Sequence, residues 1–430
     1  MKKLIIFLSL ALLLLTAVSC GKDTETTGGE NTDTTPVTTT EAAFTTTKKD
    51  VVTTTKPVVT TTKPDVTTTK KPVVTTAPKP EDTKPVYSEG LSYSYNFSQK
   101  ANVVEGVGRC KDEVIMIPPK DEDGTRIYRI KSLTCDAKTI IVPAGVTQIA
   151  TGAFANCPNL EKVVLPVTLS ALGEHIFENC PKLQTIELAT NNKFAVKNGC
   201  LIDKATKTVT SGSVFATIPD DGSVLAIGYA AFTNLPITSF TVPDGIKAIG
   251  DFAFSGCASL TEVTLSDGIT SIGKKVFDGT PIYTDTANWK DGMLCVGNHL
   301  IDADSSLTEV TLPEGIVTIA ATAFEGAALK SITLPASLKG IGHDAFWRST
   351  LESVTLNDGL VEIGYQAFSD TNVKVFIIPE SVVTVGFHAF SSLGLKHIYC
   401  YAETIPDTWD VTFTETSSYV TMGYNGESIA

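Results

Sequence analysis

Nine phenylalanines set the period of this chain: Phe154, Phe177, Phe232, Phe254, Phe277, Phe324, Phe346, Phe368 and Phe390. Seven of them close an Ala-Phe pair, and six of the eight intervals between them are 22 or 23 residues. The two longer intervals, 55 and 47 residues, each hold one further repeat length plus an insertion. A fixed period of this size predicts a solenoid, because one such unit cannot bury its apolar face alone and must stack on its neighbours. The spacing therefore decides the architecture before any residue is given a role. Scaffolds of this kind present extended surfaces suited to binding.

Residues 260–277 show the unit. Leu260-Thr261-Glu262-Val263-Thr264-Leu265 alternates, which predicts a short strand with Val263 and Leu265 turned inward. Asp-Gly or Glu-Gly pairs then turn the chain, as at Asp244-Gly245, Glu314-Gly315 and Asp358-Gly359. A second extended run follows, Ile246 to Ile249 or Ile316 to Ile319, and a compact helical turn delivers Ala and Phe to the core. Cys157, Cys180 and Cys257 each lie three residues past a rung phenylalanine, where Thr280 follows Phe277. A small thiol suits a buried slot, so these read as core residues. Cys110 and Cys135, in the irregular first segment, are the better candidates for a disulfide if the chain is exported.

The motif Leu-Pro-x-x-Ile-x-x-Ile-Gly-x-x-Ala-Phe recurs with Val or Leu also at its fifth place, as in Leu334-Pro335 through Ala345-Phe346. It resembles the BspA-type, or Treponema pallidum-type, leucine-rich repeat of bacterial and protist surface proteins. The resemblance covers residues 110–405 and implies a β-rich leucine-rich-repeat solenoid, a right-handed coil of short strands and short helical turns. It also implies protein–protein binding or adhesion at the cell surface, without catalysis. Residues 88–135 keep a strand at Val114 to Pro118 but reach no Ala-Phe, so they read as a degenerate N-terminal cap. Repeats then fill 136–405, and 406–430 read as a C-terminal cap or tail. Hairpin insertions are predicted near 190–215 and 282–307, because Asn198-Gly199 and Asp291-Gly292 stand between apolar runs.

The N-terminus reads as an export signal. Lys2-Lys3 precedes an apolar run, Leu4 to Leu15, whose twelve residues span about 18 Å as a helix, short of the ~30 Å hydrocarbon core. Ala17-Val18-Ser19-Cys20 resembles the lipobox of bacterial lipoproteins, although Leu15 lies five residues before the Cys where the commonest form has Leu three before. The expectation is a signal peptide over 1–19, lipidation at Cys20, and a cell-surface protein touching the membrane through that anchor alone; an ordinary secreted protein is the alternative. Residues 20–87 repeat Val-Val-Thr-Thr-Thr-Lys-Pro from Val51 and again from Val58. With Pro fixing φ and little apolar surface, they are expected to form a disordered stalk.

The formal charge is −13, from 34 basic and 47 acidic residues. The leader carries +2 and residues 21–87 balance nine Lys against nine acids, which leaves −15 on the remainder. An acidic domain repels phosphate backbones, so nucleic acid is not an expected partner. No catalytic constellation, metal-ligand spacing or cofactor loop is present. Two surfaces stand out instead. Thr241, Thr264, Thr311, Thr333 and Thr355 align between inward strand residues, with Glu262 and Glu309 two places earlier, and predict a flat polar binding face. Trp347, Tyr365, Val375, Ile377 and Phe387 predict a local apolar patch. The expected partner is a surface macromolecule, protein or glycan; a carbohydrate-binding accessory protein and a structural envelope protein remain alternatives.

Overall fold

The structure, a computed structural model, describes residues 85–414 and 419–426. The expected signal segment, Cys20 and nearly all of the stalk lie outside the described residues. Among the described residues no helix is long and apolar enough to cross a membrane.

The chain forms a β-solenoid whose successive turns are joined by hydrogen bonds on three sides. A first series of strands carries the outer/inner alternation read from the sequence. It includes Lys162–Leu165, Ser239–Thr241, Glu262–Thr264, Glu309–Thr311, Ser331–Thr333 and Val375–Ile378, paired in parallel with their neighbours. In Ser239–Thr241 the middle Phe240 is buried and the flanking residues are exposed, as a period of two requires. A second series consists mostly of two-residue strands, such as Ala248–Ile249, Ser271–Ile272, Thr318–Ile319 and Gly340–Ile341, in which each Ile points into the core.

The third side carries the phenylalanines, and here the structure corrects an expectation: the segments are turns, not helices. The residue two before each rung takes positive φ, as at Phe252 (57°), Thr322 (60°), Asp344 (55°), Gln366 (48°) and His388 (52°). The residue two after does the same at Asn156 (57°), Asn234 (58°), Arg348 (58°) and Asp370 (56°). Left-handed residues at both flanks preclude a helix, and they point alternate N–H groups toward the next turn of the coil. Asp344, Phe346 and Arg348 donate to the carbonyls of Tyr365, Ala367 and Ser369 at 2.8, 2.8 and 3.0 Å. These inter-turn bonds offset the conformational cost, on the order of 1–2 kcal/mol per residue. Inside this ladder the rings stack: Phe324–Phe346 at 5.2 Å, Phe346–Phe368 at 5.0 Å and Phe368–Phe390 at 5.7 Å, all within 6° of parallel.

The cysteines fit the same register. Cys180 and Cys257 are fully buried, and each donates its thiol to the carbonyl of the preceding rung, Phe154 and Phe232, at 3.1 Å. All eight described cysteines are free. Cys135 lies with its Sγ 3.7 Å from that of Cys157 rather than paired with Cys110.

The coil is built as three blocks, matching the three large clusters of buried apolar side chains. In each, the second-series sheet opens with an antiparallel hairpin: Ser92–Asn96 with Ala101–Gly106, Phe194–Lys197 with Cys200–Asp203, and Trp289–Lys290 with Met293–Val296. The last two share one register about their tips, although the first strand has four residues in one and two in the other. Asn198-Gly199 and Asp291-Gly292 take φ of 49° and 75°, and 51° and 75°, at their tips. Cys200 pairs with Gly212 as Met293 pairs with Ala303, and both ladders shift register at the same place.

Blocks two and three are also clasped sideways. The His343 ring sits between two carboxylates, Nε2 2.9 Å from Asp251 and Nδ1 3.1 Å from Asp344. Thr270 donates to the Glu362 carboxylate at 2.9 Å, and the Ala321 amide donates to the Ile272 carbonyl at 2.8 Å. A Cβ on Gly340 would lie 1.7 Å from the Thr270 carbonyl oxygen, so this turn of the coil requires glycine where its neighbours carry Thr318 and Glu362. At the C-terminal end Phe413 stands at 89° to Phe390 and takes the hydrogen bond of its amide at 2.9 Å.

Three outcomes are expected. Phe346→Ala removes a ring stacked on both sides and should cost about 3–5 kcal/mol in guanidinium denaturation. Burial raises the thiols of Cys257 to about 11 and of Cys200 and Cys400 to about 12; peptide mapping should find all three unalkylated at pH 8 until the protein is denatured. Burial opposes the charge on His343, but the Asp251 and Asp344 carboxylates outweigh it and raise its pKa to about 9. Its contribution is complete below about pH 6.5 and is lost as pH rises through about 9. Thermal unfolding followed against pH should show this loss, on the order of 2 kcal/mol, and Asp251→Asn should shrink it.

Candidate interaction surface

The strand ladders decide which side chains share a face. Ser239 pairs with Glu262 and Thr241 with Thr264; further along, Glu309 pairs with Ser331 and Thr311 with Thr333. Thr241, Thr264, Thr311, Thr333, Thr355, Glu262 and Glu309 are all exposed on the first-series face. They do not form one unbroken strip. Thr241 and Thr264 stand on a two-stranded sheet, and Thr311 and Thr333 on a separate three-stranded one, because the second hairpin intervenes.

The five residues expected to form an apolar patch are divided among three sides of the coil. Tyr365 and Phe387, each three before a rung, stack at 5.7 Å and 10° beside the second strand series. Val375 and Ile377 lie half-buried on the first series. Trp347 follows Phe346 in the turn ladder, where the Arg348 guanidinium lies 4.3 Å over its ring. Proximity in sequence misled here: only residues at equivalent places in successive turns are brought together.

What the first-series face does carry is an aromatic column at its C-terminal end. Val375, His397 and Tyr419 are register partners, as are Ile377, Tyr399 and Thr421. His397 and Tyr399 stack at 4.2 Å and 24°, and His397 lies 6.2 Å from the Tyr419 ring at 18°. Tyr424 stands 4.8 Å from Tyr399 and 5.5 Å from Tyr401. His397 Nε2 is 2.8 Å from the Thr421 hydroxyl, and Tyr419 is 74% exposed. The signal was present in His397-Ile398-Tyr399, which alternates like the earlier Glu-Val-Thr strands but with rings in the outward places. No group of three His, Cys, Asp or Glu residues among the described residues could hold a metal ion.

Parallel short-strand turns, a ladder of buried phenylalanines and a polar outward strand face define a leucine-rich-repeat solenoid. The family model for the BspA type leucine rich repeat region matches residues 132–221, 225–299 and 296–417, in six copies. The chain belongs to this family. No curated protein matches it. Among solved structures it is similar to a leucine rich cell surface protein from Faecalibacterium prausnitzii, at 19% identity over 80% of this chain and 96% of that one, with a TM-score of 0.31. The leucine rich repeat protein of T. pallidum is 20% identical over 62% and 91%, with a TM-score of 0.24. The pneumococcal vaccine antigen PcpA is 18% identical over 79% and 87%, with a TM-score of 0.30.

Since Thr311 and Thr333 touch solvent rather than core, Thr311→Ala and Thr333→Ala should each change stability by less than about 0.5 kcal/mol in chemical denaturation. A larger loss would mean that the strip serves the fold.

Proposed function

We propose that this chain is an exported, lipid-anchored bacterial surface protein whose solenoid binds a macromolecular partner, a protein at the cell surface, in an adhesive role. The observation that carries the reading is the aromatic column of His397, Tyr399 and Tyr419 at the end of an otherwise polar strand face. Exposed tyrosines supply contact area at low conformational cost and are enriched among residues that dominate binding energy. Thr311, Thr333, Glu309 and their neighbours extend the face as a polar rim. The leader, the lipobox-like segment ending at Cys20 and the Thr/Pro/Lys-rich composition of the stretch after it support display away from the envelope. The net charge of −13 disfavours nucleic acid.

Two measurements test it. Fatty-acid labelling in the producing bacterium should mark the wild type and not Cys20→Ala. Purified protein offered to extracellular-matrix proteins and host-cell surfaces should bind at least one, and the pair Tyr399→Ala with Tyr419→Ala should weaken that binding at least about tenfold. Unchanged binding in the double variant overturns the assignment of the face.

A further inference from the structure

The two later hairpins are equivalent in register, yet only one of them seals the gap in the phenylalanine ladder. In the first, the returning strand ends on Gly212, whose amide donates to the Ala231 carbonyl at 2.9 Å. A Cβ there would lie 2.0 Å from Phe232 Cε1, so the ring rests directly on backbone. The space left beside Phe177 is about 10 Å³. In the second, the same place is held by Ala303, whose amide turns instead to Asp302 Oδ1 at 2.8 Å. A cleft of about 410 Å³ opens here, with Phe277 and Phe324 both lining it. That is within the range of about 300–1,000 Å³ that small-molecule sites occupy.

The wall of this cleft is aromatic and already fixed. Trp289 stands where the first hairpin has Val196. Its indole N–H donates to the Tyr283 carbonyl at 2.9 Å, and the two rings meet edge-on at 5.5 Å and 84°. Tyr283, on the one α-helical turn among the described residues, Pro281–Thr284, donates its hydroxyl to Asp302 Oδ2 at 2.5 Å. Burial raises the pKa of Tyr283, as does its bond to the Asp302 carboxylate, so the phenol keeps its proton and the bond. Two cations, Lys275 and Arg348, and two acids, Asp302 and Glu325, are the charged residues of the lining, leaving it without net charge.

Such a lining selects against the simpler ligands. A phosphate or nucleotide would meet the carboxylates of Asp302 and Glu325. A purely apolar molecule would desolvate the charged rim without pairing it. A polyhydroxylated ring satisfies both halves, laying its C–H face on Trp289 and Tyr283 while its hydroxyls donate to carboxylates and accept from Lys275 and Arg348. We propose that the cleft beside the second hairpin binds a neutral saccharide of one or two rings. This site is separate from the strand face and does not rest on it.

The test uses the full chain, titrated with glucose, galactose, N-acetylglucosamine, lactose and cellobiose and followed by tryptophan fluorescence and calorimetry. At least one sugar should saturate with a Kd on the order of 1 mM or tighter. Trp289→Val, which installs the residue of the equivalent hairpin, should weaken it at least about tenfold. Should that variant fail to fold, Ala303→Leu fills the cleft without altering its aromatic wall and should abolish binding. No saturation by any of the five sugars up to about ten times that Kd overturns the proposal, as does wild-type affinity in the folded variants.

Discussion

Everything in this solenoid hangs on stacking one phenylalanine ring upon the next. Parallel strands repeat at about 4.8 Å, and the rings lie 5.0 to 5.8 Å apart, a comfortable offset stack. Ring and backbone can therefore advance together. The flanking left-handed residues present the amides of the turn to the next turn of the coil. Once that is satisfied, each position in one turn lies over its counterpart in the next. Core cysteines, inward isoleucines and outward threonines then follow as columns of a single register.

The interruptions matter because the register is otherwise so uniform. Each hairpin ends one ladder and starts another, and the third block gains sideways contacts that a straight coil would lack. Asp251 with His343 and Thr270 with Glu362 are each 92 residues apart, and both pairs join blocks two and three. Gly340 records the same contact in the backbone. Surfaces on either side of the second hairpin consequently belong to separate sheets, so the polar face is used in segments.

Much of this was legible in the chain. The period gave the coil, the alternation in Thr261 to Leu265 gave the first strands, and Asn-Gly and Asp-Gly marked the hairpin tips. The turns were not legible, since Thr322 in a left-handed conformation contradicts local preference and is held there by the bond of its amide to the His343 carbonyl, in the next turn of the coil. Nor does anything local to His343 reveal a carboxylate 92 residues earlier, at Asp251. The apolar patch failed for a related reason: Trp347, Tyr365 and Val375 are near in sequence but occupy unlike places in the turn. The aromatic column at 397–424 is readable once the strand register is extended past the last Ala-Phe.

The perpendicular ring of Phe413 closes the stack, with Trp409 packed edge-on against it at 5.4 Å. A face-to-face column has no natural length, and any exposed end ring would accept another. By turning the final ring through a right angle, the chain separates how the column ends from how long it is. Turns of about 22 residues can then be gained or lost between the caps while both ends stay chemically the same. Reach becomes adjustable in steps of one strand spacing, and a lineage can lengthen its strand face without inventing a new terminus.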